Sequence, residues 1–125
     1  MKRALMSVLL SLCAAPVFAG QWMAYSNDQF SALTKAGHTV VIDVHADWCP
    51  TCLRQQPALK QLVAQPPFQS YDVLVVNYDQ QTDALKKFKV SQQSTLLVFK
   101  GDKEVGRATG ITESKAISAL LDKGR

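Results

Sequence analysis

Cysteine is scarce in this chain of 125 residues: three in all, and past residue 20 only Cys49 and Cys52. No second cysteine pair and no methionine cluster stands ready to complete a zinc or soft-metal site. A strong charge of either sign is missing too. Basic residues number 14 and acidic ones 10, scattered along the chain, which argues against nucleic acid or an anionic membrane surface as a partner. Low-complexity tracts, repeats and interdomain linkers are absent. Beyond the N-terminus there is no second apolar run long enough to cross a membrane.

What is present starts with a basic Met1-Lys2-Arg3 and "ALMSVLLSLCAAPVF", 15 uncharged and mostly apolar residues. "VFAG" then offers small or modest residues before a cleavage point, so we place the end of a secretory signal peptide at Ala19. The run is short for a membrane span, and Leu12 is too bulky for lipoprotein processing at Cys13, which leaves with the leader. Residues 20–125 then make one domain of 106 residues, with 12 basic and 10 acidic side chains once Lys2 and Arg3 are gone. That length is enough for a hydrophobic core. Export places the domain in an oxidising compartment where disulfides persist.

Along the domain, "QWMAYS" (21–26) reads as an edge strand. Ser26 followed by Gln29 is a capping-box pattern opening the helix "DQFSALTKA", which Gly37 stops. "TVVIDVH" (39–45) reads as a strand covered on both faces, broken only by Asp43. A helix runs from Pro50 to about Gln65 with Leu53, Leu59, Leu62 and Val63 on its apolar side. Pro57 kinks it and Pro66-Pro67 ends it. "YDVLVVNYD" (71–79) is a second buried-type strand and "TDALKKFK" (82–89) a short helix. "TLLVFK" and "KEVGRATG" flank Gly101-Asp102 and make an antiparallel hairpin. Thr112 caps the last helix, "ESKAISALLDK". The order is β-α-β-α-β-α-β-β-α, an α/β fold with a mixed sheet and helices on both faces.

Cys49 and Cys52 stand where a buried strand gives way to a helix. A structural disulfide there would close too short a loop to restrain the unfolded chain. A thiolate at Cys49 meets the free N–H groups and positive end of the helix, which favours the nucleophilic form. Pro50 fits the first turn, where no N–H is needed. Cys49 is expected to be the exposed attacker, and Cys52, one turn in, is placed to attack a mixed disulfide on Cys49 while shielded from outside partners. Asp43, an acid inside a buried strand, is placed to take the Cys52 proton, directly or through water. His45 would either help hold a Cys49 thiolate or simply bond to nearby backbone at the strand end. His38 reads as solvated, Trp22 as core or rim, and Trp48 as a screen over the active-site loop.

With these residues in hand the chain resembles the thioredoxin family over residues 21–122. The anchors are Asp43, Trp48-Cys49-Pro50-Thr51-Cys52, Pro57 where the family kinks the same helix, "VNYD", "STLLVFK" and Gly110. The export signal and "HADWCPTC" look most like the periplasmic branch, including the C-terminal domains of membrane electron-transfer reductases. The resemblance implies a thioredoxin fold and a periplasmic thiol–disulfide oxidoreductase. Its redox-active Cys49–Cys52 disulfide would need no other cofactor. Client proteins would be met through transient mixed disulfides, and a membrane thiol–disulfide protein would supply electrons to a monomer. Pro50-Thr51 differs from the Gly-Pro of reducing thioredoxins and the Pro-His of the strong oxidant, and we expect an intermediate potential used mainly for reduction. Two positions depart from the family. In Gln93-Ser94-Thr95, Ser94 replaces a cis-proline that faces the cysteines. A cis bond before a non-proline residue costs about 3–4 kcal/mol, so the fold either sustains it or the loop turns trans and reshapes the substrate groove. Val75 replaces a lysine near the buried acid, leaving burial to hold the proton on Asp43. Relief of crowding at Ser94 also leaves an alternative, a metal-binding or copper-delivery protein with Cu(I) or zinc on Cys49, Cys52 and His45.

Overall fold

The computed structural model describes residue 11 and residues 19–125; the leader expected at 1–19, with Cys13, otherwise lies outside the described residues. The elements are β1 (Trp22–Ala24), α1 (Asn27–Lys35), β2 (Thr39–His45), α2 (Pro50–Val63), β3 (Asp72–Asn77), α3 (Thr82–Phe88), β4 (Thr95–Lys100), β5 (Lys103–Thr109) and α4 (Ser114–Asp122). This is the succession expected. The five strands form one mixed sheet in the order β1-β3-β2-β4-β5. β3 runs parallel to both β1 and β2, while β4 is antiparallel to β2 and β5 to β4. Among the described residues no helix is long and apolar enough to cross a membrane.

β2 takes the centre because Val40 through Val44 leave nothing for water, and all five are buried. Successive side chains point to opposite faces. Ile42 and Val44 join Phe30 of α1 and Phe88 of α3 in one core layer. There Phe30 meets Phe88 and Phe99 edge-on, with ring centroids 5.1 and 5.0 Å apart. Val41 joins Leu59 of α2 and Ile117 and Leu121 of α4 in the other. Each such side chain contributes about 1.5–3 kcal/mol on burial. Asp43 follows Val41 on that second face, so α2 covers it.

Local chemistry sets the ends of the elements. Ser26 Oγ accepts the Gln29 N–H at 3.1 Å at the start of α1. Lys100 pairs with Lys103 across Gly101-Asp102, with Gly101 at φ 58°, a left-handed conformation that glycine adopts without cost. α2 stops at Val63, ahead of Pro66-Pro67 rather than at them. Thr112 does not cap α4. Glu113 holds the cap position and its side chain makes no capping hydrogen bond.

Candidate active site

The loop from the end of β2 delivers Cys49 to the N-cap of α2, with extended backbone (φ −89°, ψ 111°) and Pro50 as the first helical residue. Cys49 Sγ accepts the Cys52 N–H at 3.1 Å, and the Cys49 N–H reaches the Ala46 carbonyl at 3.1 Å. The two cysteines are free thiols. Cys49 is not the exposed group expected from the sequence: it is 3% exposed and Cys52 1%, because Ala46 and Tyr78 pack against them. Burial and the hydrogen bond with Cys49 push the Cys52 thiol up from 9.0 to about 11. Cys52 therefore keeps its proton until a base removes it. Trp48 and Leu53, on either side of the pair in sequence, are 59% and 56% exposed. Trp48 thus stands out from the loop rather than screening it. Its Nε1–H donates to Asp79 Oδ2 at 2.8 Å, and its ring meets Tyr78 edge-on.

Asp43 is 1% exposed and its Oδ2 accepts the Gln56 Nε2–H at 3.1 Å. Burial pushes the carboxyl above its ordinary value, opposed by the Gln56 hydrogen bond and by His45. Val75 lies directly across from it on β3 and brings no charge. Asp43 bonds to Gln56 and not to Cys52. His45 Nε2 bonds Asp47 Oδ1 at 2.9 Å, and its Nδ1 is buried without a partner. The imidazole is thus tied to Asp47. Among the described residues no three His, Cys, Asp or Glu side chains gather into a group that could hold a metal ion. The ligand set Cys49, Cys52 and His45 is not assembled. Behind Trp48 a groove of about 750 Å³ opens, lined by Trp22, His45, Asp47, Gln56, Val75 and Asp79 among others. Trp22 is half-buried there, with Lys60 Nζ 5.0 Å from its ring centre. His38 is not simply solvated either: its Nδ1 lies 2.7 Å from Oδ2 of buried Asp72.

The Gln93–Ser94 peptide is trans, which decides between the two conformations open from sequence; among the described residues the cis bond is Pro66–Pro67. Ser94 sits at φ 58°. A non-glycine residue there costs about 1–2 kcal/mol. Three hydrogen bonds hold it. The Ser94 N–H donates to the Val44 carbonyl at 2.8 Å, and the Ser94 carbonyl accepts from the Gly110 N–H at 2.9 Å and Gln55 Nε2 at 3.0 Å. Gln55 Nε2 also donates to the Ile111 carbonyl at 2.8 Å. Thr95 Oγ1 donates to the Gln92 carbonyl at 2.8 Å. Gln55 and Gln56 were not singled out from sequence, although their spacing from Cys52 and Leu59 puts all four on the inward side of α2.

The Thioredoxin family model matches residues 21–123. The chain belongs to the thioredoxin family. The thioredoxin of Chlamydia muridarum is 32% identical over 98 residues, 78% of this chain and 93% of that one. Thioredoxin-2 of Saccharomyces cerevisiae is 35% identical over 90 residues, 72% of this chain and 85% of that one. Among solved structures, Trxlp from Edwardsiella tarda EIB202 is 43% identical, with a TM-score of 0.78 over 80% of this chain and 97% of that one. The fold is the thioredoxin fold, and the protein is a thiol–disulfide oxidoreductase. Thioredoxins act on client disulfides in general. Within that family pattern this chain keeps the acid, both cysteines and Pro57, and departs at Val75 and Ser94.

Proposed function

We propose that this thioredoxin is exported to the periplasm and there reduces disulfides of specific client proteins, recharged by a membrane thiol–disulfide donor. One observation carries the direction. Cys49 Sγ receives the Cys52 N–H, while His45, the histidine on the approaching strand, is bound to the Asp47 carboxylate instead. Strong oxidants of this class owe their potential to a stabilised reduced form. A site that gives its thiolate little cationic support leaves the disulfide form comparatively stable and the dithiol a donor. The basic, then apolar, N-terminal residues support export.

In the reaction, the Cys49 thiolate attacks one sulfur of the client disulfide. The client S–S bond breaks, its other sulfur leaves with the electron pair and takes a proton, and a Cys49–client mixed disulfide forms. Cys52 then yields its proton to Asp43 through water. Its sulfur attacks Cys49, closing the Cys49–Cys52 disulfide and expelling the second client thiolate. Two electrons have passed to the client. A dithiol of the donor returns them and regenerates both thiols. The trans Ser94 loop, with its own N–H and carbonyl already bonded internally, gives clients a different backbone edge from the family's cis-proline loop.

The test is a tagged Cys52→Ser variant of the full chain, which cannot resolve its mixed disulfides. Dithiothreitol-sensitive adducts with envelope proteins, on a chain beginning at Gly20, would support the reading. No adducts, or a variant that keeps residues 1–19 and stays in the cytoplasm, would overturn it.

A further inference from the structure

The closing step sends a proton into the core, and that proton must leave again before the next turnover. Asp43 has no surface of its own, being 1% exposed. Around it β3 presents Val75 and β4 presents Leu96 in direct register. α4 turns Ile117, Leu120 and Leu121 to this layer. The titratable group that acts on the carboxyl is His45 on its own strand. Cys52 lies one turn before Gln56 on α2, Asp47 and Asp79 line the groove beyond, and Lys60 lies over Trp22 at its edge. One polar side chain links this enclosed carboxyl to the exterior. Gln56 follows Cys52 by one helical turn and donates Nε2–H to Asp43 Oδ2 at 3.1 Å. The same residue lines the groove behind Trp48, together with His45 and Asp47. His45 places a buried, unpartnered Nδ1 beside that route.

We propose that Gln56 is a positioning residue: its amide holds the Asp43 carboxyl toward the groove behind Trp48, which thereby becomes the path by which the Cys52 proton leaves the core. This deepens the oxidoreductase mechanism above and rests on it. During resolution the proton moves from Cys52 Sγ to Asp43 through water, the Cys49–Cys52 bond forms and the Cys49–client bond breaks. Asp43 then passes the proton to groove water past Gln56. In the reverse direction, when an incoming donor thiolate opens the Cys49–Cys52 bond, a proton taken up from groove water past Gln56 passes through Asp43 to Cys52. The Gln56 hydrogen bond favours the ionised carboxyl, against burial. Removing it therefore leaves Asp43 protonated to higher pH and starves the closing step of its base.

The experiment uses full-length reduced protein and dithiobis-nitrobenzoate as the disulfide. Attack by Cys49 releases one coloured thiolate; closure by Cys52 releases the second, in a separate phase. Gln56→Met keeps the side-chain volume and removes the donor; Gln56→Ala serves as a second probe should methionine disturb packing. In either variant we expect an unchanged first phase and a second phase slowed about tenfold at pH 7, the loss of one hydrogen bond to a charged group. Its rising pH limb should move to higher pH, as should the infrared titration of the Asp43 carboxyl. Val75→Lys, which adds a cation across from Asp43, should move both to lower pH. In an Asp43→Asn background the Gln56 substitutions should have no further effect. An unmoved limb and carboxyl titration, or equal slowing without Asp43, would overturn the proposal. A wild-type protein showing no first phase would instead sink the oxidoreductase mechanism itself.

Discussion

Gln55 is a polar side chain sealed inside α2, 1% exposed, and its place in the site makes a quantitative test. Its Nε2 donates to the Ser94 carbonyl at 3.0 Å and the Ile111 carbonyl at 2.8 Å, tying the loop before β4 to the segment before α4. Gln55→Met keeps volume and chain length and deletes both bonds. Each hydrogen bond is worth about 1 kcal/mol net, so the pair amounts to about 2 kcal/mol. Two effects moderate the loss. The Ser94 carbonyl retains the Gly110 N–H, and Ile111 is only half-buried, so water can satisfy its carbonyl. Methionine in a buried site adds a little apolar stabilisation. With a urea slope of about 1–3 kcal/mol per molar, the midpoint of the reduced protein should fall by roughly 1 M at unchanged slope. Equilibrium urea unfolding followed by far-ultraviolet dichroism reads this directly. A midpoint within error of wild type would refute the claim that Gln55 holds the Ser94 loop. A changed slope would show that the substitution acts on the denatured state instead.

Two further outcomes follow from the same geometry. Ser94→Gly removes the cost of a side chain at φ 58°. That gain, about 1–2 kcal/mol, exceeds the 0.5–1 kcal/mol or so of extra chain entropy, so thermal unfolding should show a modest net stabilisation. A loss of stability would mean the Ser94 side chain contributes something its backbone bonds do not. For Cys52 the native thiol is pushed up from 9.0 to about 11, so above pH 9 the unfolded chain sheds this proton before the folded one does. Stability of the dithiol form should therefore be intact below pH 9 and decline as pH rises toward about 11, while the disulfide form, lacking the group, should not show that decline. Parallel denaturation of both forms across that range checks it, and identical pH dependence would contradict the burial of Cys52.

Much of this was legible in sequence because the determinants are local. The apolar run of β2, broken only by Asp43, required cover on both faces, Gly101-Asp102 required a tight turn, and Ser26 and Gln29 marked a helix start. α2 was harder. The apolar pattern puts Leu53 on its inner side, yet it is exposed, while Gln55 is buried. Six residues separate Leu53 from Leu59, which puts them on different sides of a helix with 3.6 residues per turn. The inward row runs Cys52, Gln55 and Gln56, Leu59, and two of its members are polar because they serve the backbone of Ser94 and the carboxyl of Asp43. Hydrophobic periodicity cannot find positions where a buried polar group is chosen for its partner. The same holds for His38, whose acid partner Asp72 lies 34 residues away. The burial of Cys49 depends on Tyr78, which follows β3.

The measurement that bears most directly on the account is the reduction potential of the Cys49–Cys52 couple, set by equilibration against dithiothreitol and glutathione buffers. A site whose histidine is tied to Asp47 should lie toward the thioredoxin value of about −270 mV and donate electrons. A value near about −120 mV would make the protein an oxidant and contradict the direction proposed here. Failure of the pair to close reversibly would contradict its role as a dithiol–disulfide couple altogether.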